Sequence, residues 1–218
     1  MSEEIHFVIR KATLEDLEKV TALHLASFHS DDHVPVMIGP SYVKATYKWQ
    51  ISSPEAYTLV ADANGKIVGL VGMCDKSFTR PMFMACLGAL FQSLLKKPSL
   101  LFQRKLWDRL FRDSKSSSKG ETMARCPGMA QMTIGVVDGD YRGYGVFPAL
   151  VEATKSFSSA RGSRGIRAGI YKINNSSRRV FIKGGWIETP ELETSDTVFY
   201  VAYLDPDFPK ELGIYLPV

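Results

Sequence analysis

Tyr141-Arg142-Gly143-Tyr144-Gly145-Val146-Phe147-Pro148 brings together a cation, two glycines and the start of a helical pattern, the parts of an anion cradle. Two glycines let the backbone curl so that successive N–H groups face one point. A helix N-terminus adds roughly half a positive charge, and Arg142 adds a full one. A pyrophosphate is the natural guest. A P-loop would need Lys-Ser or Lys-Thr after its glycines, and a dinucleotide fingerprint would need a third glycine where Pro148 stands. Neither requirement is met.

What remains is Arg142, two residues, Gly145, one residue, then Phe147. This resembles the coenzyme A loop of the GNAT superfamily of N-acetyltransferases, which reads Gln or Arg, two residues, Gly, one residue, Gly or Ala. Phe147 departs from that pattern, keeping the N–H but adding bulk beside the phosphates. A second resemblance lies downstream, where Asn174, Ser177, Phe181, Gly185 and Trp186 match the family's segment N-x-x-S/A-x-x-x-Y/F-x-x-x-G-F/W. The two motifs are separated by one helix, one strand and the start of a second helix, as in that family. Gly185 and Trp186 also read simply as turn and core residues.

The resemblance implies an α/β acyl-CoA N-acyltransferase fold, a mixed central sheet with helices on both faces. Two neighbouring parallel strands would splay apart around acetyl-CoA, the acyl donor. Its pantetheine would pair with the edge formed by Gly135, Val136 and Val137. Its pyrophosphate would be held by the backbone of Arg142, Gly143, Tyr144, Gly145, Val146 and Phe147. Asn174 would contact it from the second motif, with Ser177 and Phe181 beside it. Gly135 alone could also mark a bulge.

Acyl transfer to an amine needs a proton acceptor for the amine, donors for the oxyanion and a proton for the departing thiolate. The family commonly places a Tyr at the position of Phe181, so the usual hydroxyl is missing. Tyr171, Ser177 and Tyr144 are the substitute donors. For the base, Asp31 and His33 stand out in the polar run His29-Ser30-Asp31-Asp32-His33-Val34-Pro35, which borders the acceptor cleft in the family's topology and otherwise reads as a turn. Gln131 and Thr133 could instead steer a catalytic water. The four histidines lack carboxylate or cysteine partners at ligand spacing, so no metal is expected.

These residues need elements to hold them. Phe7–Ala12 predicts a strand, and Thr13 with Asp16 a capped helix start. Ser41–Ile51 predicts a helix. Ala56–Ala61 and Lys66–Met73 predict strands joined by an Asn64-Gly65 hairpin turn. Ala130–Val137 leads into the cradle, and a helix from Pro148 to about Ser159 leaves it. Ile166–Ile173, Ser176–Lys183 and Val198–Tyr203 predict strand, helix and strand. The tail from Asp205, with its prolines, is expected along the surface.

Residues 78–125 separate the third and fourth strands of what otherwise reads as one domain over 1–218. Leucines at helical spacing predict two helices parted by Pro98, then a linker at 114–120. This stretch carries ten basic and three acidic residues, a net of +7, whereas the rest of the chain sums to −3. Four readings stand: a hairpin packing its leucines on the domain or on a second subunit in a homodimer, a lid attracting anionic acceptors, peripheral contact with an anionic membrane, or nucleic acid. The last is disfavoured because aromatic and basic residues do not interleave.

Three cysteines without metal spacing argue for reduced thiols. The acidic start Met1-Ser2-Glu3-Glu4 has no apolar run, which predicts no signal peptide and a cytoplasmic protein. The leading expectation is an N-acetyltransferase acting on a small-molecule primary amine, an amino sugar among the candidates. The competing expectations are a non-catalytic acyl-CoA-binding protein and a membrane-associated acyltransferase.

Overall fold

The computed structural model describes residues 5–31, 33–76, 78–103 and 126–208. Its strands are β1 (Val8–Lys11), β2 (Ala56–Ala63), β3 (Lys66–Cys74), β4 (Met129–Val137), β5 (Gly165–Tyr171), β6 (Ile187–Glu188) and β7 (Thr197–Tyr203). They form one sheet in the order β1-β2-β3-β4-β5-β7-β6. Among the described residues only β4 and β5 run parallel; the other pairings are antiparallel.

The N-terminal cap forms as its residue types dictate. Thr13 N–H donates to Asp16 Oδ2 at 2.9 Å, opening a short 3-10 turn that runs into α1 (Leu17–Ser27). Arg10 Nη1 and Nη2 grip the same carboxylate at 2.7 and 2.8 Å, and Nε and Nη2 also reach Asp62, tying β1, the cap and β2 together. The β2–β3 hairpin turns on Asn64 (φ 53°) and Gly65 (φ 87°), the two left-handed residues that the Asn-Gly pair anticipates.

Alternation along the strands sends side chains to two cores. Tyr57, Leu59, Ala61, Val71 and Met73 meet Val146, Leu150 and Val151 of α5 (Val146–Ala160) and Phe181 of α6 (Asn175–Lys183). On the opposite face Val60, Leu70 and Val136 meet Val20 and Leu23 of α1 and Val43 and Tyr47 of α3 (Pro40–Ser52). The mixed sheet with helices on both faces is thus observed. A third layer forms where α4 (Thr79–Lys96) packs Cys86 and Leu90 against Tyr42 of α3 and Ile38 of α2 (Val34–Ile38).

Several boundaries differ from expectation. Part of the polar run after α1 is helical, because α2 begins at Val34 with Pro35 in its first turn, where a missing N–H costs nothing. α5 begins at Val146, two residues before Pro148. Ala149 N–H is the first to bond back, to Gly145 O at 3.1 Å, so Pro148 still sits where no donor is required. β5 ends at Tyr171 rather than Ile173, since Asn174 N–H turns back to Tyr171 O. The two-residue strand β6 was not anticipated; its pairing with β7 supplies a stability that so short a run does not signal. At the start of the tail Phe208 is buried under the Arg164 guanidinium rather than on the surface, and residues 209–218 lie outside the described residues. After α4 a 3-10 turn covers Pro98–Phe102; the second expected helix and the 114–120 linker lie outside the described residues.

Candidate functional site

β4 ends in a 3-10 turn, Gly139–Tyr141, capped by Asp138, whose carboxylate accepts from Asp140 N–H at 3.1 Å and pairs with Lys66 at 3.0 Å. Arg142 is extended, Gly143 and Gly145 take φ of 87° and 80°, and α5 starts at once. Both glycines hold left-handed conformations that a side chain would strain. Arg142, Gly143, Tyr144 and Gly145 are all exposed. Among the described residues no acceptor takes the N–H groups of Gly143, Tyr144, Gly145, Val146 or Phe147. Five unclaimed donors at a helix N-terminus beside an arginine make an anion site in geometry as well as in composition.

Phe147 does not crowd this loop, contrary to expectation. Its ring lies along β4, so close to Gly135 that a methyl group there would stand 2.6 Å from Cε2, and its edge meets Phe181 with centroids 6.1 Å apart. Gly135 is therefore the space that admits Phe147. It is not a bulge: the register shift of β3 against β4 falls at Gly72/Met73, opposite Thr133.

The wedge beside the loop comes from how β4 and β5 pair. Their parallel ladder joins Met129–Met132 to Gly165–Ala168 and stops there. β4 continues to Val137 and β5 to Tyr171, each held only by its other neighbour. Asp138 N–H bonds to Val68 O on β3 at 2.9 Å. Antiparallel alternation then turns the N–H and C=O of Val136 toward β3 and those of Gly135 and Val137 toward the unpaired side. That edge offers an extended ligand the hydrogen bonds a strand would make. The carboxyl ends of β4 and β5 both run into helix N-termini at this opening, the place where open α/β sheets hold ligands.

The second motif supplies the start of α6. Asn174 caps that helix, its Oδ1 accepting from Ser177 N–H at 3.1 Å, so its carboxamide oxygen is used within the chain. Ser177 sits half-buried in the first turn, and Tyr171, 48% exposed, ends β5. Phe181 is fully buried, stacked on Tyr200 and edge-on to Trp186, and does not reach the wedge surface. This corrects its place beside the cofactor. As a large apolar group at an inward helix position it is a core residue.

On the face of the sheet that carries α1 and α3, polar groups gather near the end of the β4–β5 ladder. Gln131 Oε1 accepts from Arg167 Nη2 at 3.1 Å, and Arg167 lies over the Phe199 ring. Burial lowers the Arg167 pKa, but a guanidinium stays charged at neutral pH. Thr133 Oγ1 accepts from Gln50 Nε2 at 2.6 Å, and Gln50 Oε1 accepts from Thr58 at 3.4 Å. Tyr171 alternates onto the same face as Arg167.

Asp31 is exposed and His33 half-buried in the α1–α2 loop. His33 Nδ1 faces His24 Nε2 at 3.4 Å and its ring stacks on Phe28; His24 Nδ1 in turn meets Tyr47 OH at 2.8 Å. Burial first, and the neighbouring His33 second, push His24 down to about 3, so it is neutral. Burial raises the Tyr47 phenol. His24, Tyr47, Gln50 and Arg167 escaped the sequence reading. The signal was there for two of them: Gln50 shares the apolar stripe of Val43 and Tyr47, and Arg167 interrupts a buried strand. No metal-binding cluster exists among the described residues.

No protein-family model matches the sequence, and no curated protein matches it either. Solved structures do. The GNAT domain of S. lividans PAT superposes with a TM-score of 0.57 at 14% identity, over 90% of each chain. The PaiA N-acetyltransferase from Thermoplasma acidophilum, solved in complex with coenzyme A, gives 0.56 at 11% identity over 91% of this chain and 99% of its own. The ribosomal-protein-S18-alanine N-acetyltransferase from Escherichia coli gives 0.54 at 11% identity over 92% and 95%. The fold is the GNAT acyltransferase fold.

Proposed function

We propose that this chain, built on the GNAT fold, is an acetyl-CoA-dependent N-acetyltransferase acting on a primary amine of a small molecule. The observation that carries this reading is the coincidence of two unsatisfied backbone surfaces: the free amides from Gly143 to Phe147 and the unpaired edge at Gly135 and Val137. One suits a diphosphate and the other an extended pantetheine arm, and they adjoin. The coenzyme A complex of the PaiA protein supports the same assignment.

When bound, acetyl-CoA supplies a thioester carbonyl to the amine and a thiolate as leaving group. The chain's own residues do the rest. Arg142 and the loop amides fix the diphosphate, and the backbone of Gly135 and Val137 aligns the arm. Asp31 or His33 accepts the proton that the amine sheds, with Gln131 and Thr133 as holders of an intervening water. Tyr171 or Ser177 holds the proton that the thiolate takes up. An acceptor that also carries negative charge, such as a nucleotide-linked amino sugar, fits the net +7 of residues 78–125.

The test is release of free thiol from acetyl-CoA against a panel of small amines and amino sugars. Turnover with at least one amine is expected. Tight coenzyme A binding with no turnover on any amine would instead favour a non-catalytic acyl-CoA-binding protein, the reading to which the missing Tyr at Phe181 belongs.

A further inference from the structure

A surface helix ordinarily buries one stripe and shows charge on the other. α4 does not. One side packs Cys86 and Leu90 into the layer formed with α2 and α3. The opposite side carries Met84, Leu87, Phe91 and Leu95, spaced three and four residues apart on one helical stripe, and all of them are exposed. Between Arg80 and Lys96 the only exposed polar side chain on this helix is Gln92. The turn that follows adds Leu101 and Phe102, the latter 89% exposed.

The charge on α4 and the turn after it has one sign. Arg80 stands at the start of α4, and Lys96 and Lys97 stand at its end. No Asp or Glu occurs between Asp75 and Asp108. An apolar strip whose own helix carries only cations matches an anionic bilayer, whose acyl region takes the apolar side chains while its phosphates meet the lysines. It matches a second copy of itself poorly, since cation rims would face each other. No helix among the described residues is long and apolar enough to cross a membrane, so the contact would lie in the interface plane.

We propose that the outer face of α4, continued by Leu101 and Phe102, is a docking surface for an anionic lipid bilayer. This rests on α4 alone and stands whether or not the acetyltransferase reading holds.

The experiment is flotation of the full chain with vesicles of phosphatidylcholine alone or mixed with phosphatidylglycerol. Binding is expected to the mixed vesicles and to weaken with added salt. The Phe91→Ser/Leu95→Ser variant should partition about tenfold or more weakly, as expected for removing two large apolar groups from the interface. Lys96→Gln/Lys97→Gln should lose about fivefold or more on the anionic vesicles alone. Circular dichroism checks that each variant is folded, and the lysine pair decides the matter if the apolar pair is not. Failure of the parent chain to bind anionic vesicles overturns the proposal, as does equal binding by folded variants. So does a dimer, seen by light scattering, that the apolar variant splits while vesicles recruit neither protein.

Discussion

Phe147 and Gly135 illustrate how a residue's role turns on its direction rather than its place in a motif. Read along the chain, Phe147 adds bulk to a phosphate loop. In space it lies in a slot that only glycine leaves open on β4. Gly135→Ala should therefore cost about 1–3 kcal/mol by overpacking, measured by urea denaturation. Combining it with Phe147→Leu should return part of that loss; strict additivity of the two changes would show that they do not touch. Asn174 teaches the same lesson. Asparagine three residues before a serine at a helix start is a capping signature as much as a ligand signature, and the cap is what forms. His24 supplies a pH prediction. Its folded-state pKa, about 3, lies below the usual 6.5, so the unfolded chain binds the extra proton between those values. Stability should fall as pH drops through that window, by up to roughly 1.4 kcal/mol per unit. Asp16, held down at about 2 by Arg10, adds a second loss between its usual 3.8 and about 2. His24→Phe should flatten the upper limb of the stability profile and leave the lower one; an unchanged upper limb would contradict the assignment.

At the scale of elements, strands and helices were legible because apolar period and turn chemistry agreed. The Asn64-Gly65 hairpin and the Thr13 cap are the clearest cases. The wedge between β4 and β5 was reached only through resemblance. Nothing in the composition of Met129–Val137 or Gly165–Tyr171 states that their ladder stops at Met132 and Ala168. Pairing between distant strands is a tertiary outcome, and Gly72, which stands opposite the bulge at Thr133, marks that irregularity without saying where the β4–β5 ladder stops. The amides of Gly135 and Val137 should exchange with solvent faster than that of Val136, which is turned toward β3, and coenzyme A should slow them. Exchange that is uniform along β4, or unmoved by coenzyme A, would contradict the unpaired edge.

Over the whole molecule, the two motifs led to the fold even though the matching structures share so little of their sequence with this chain. Those motifs specify a loop and a helix start on successive βα units, and the glycine geometry and capping that build them tolerate change almost everywhere else. The proposed acceptor side was less legible because its residues come from separate elements: Gln50 from α3, Gln131 and Thr133 from β4, Arg167 and Tyr171 from β5. No single stretch of sequence shows them together. α4 belongs to this scale too, since its apolar spacing was plain while the exposure of its outer stripe was not. The central claim, that the loop after Val137 grips a diphosphate, is tested most directly by calorimetric titration of the full chain with coenzyme A and, separately, with pantetheine, which lacks that diphosphate. The account predicts saturable binding of coenzyme A, far weaker binding of pantetheine, and a loss of about tenfold or more for coenzyme A alone in Arg142→Glu. Equal affinity for the two ligands, or no binding of either, would contradict it.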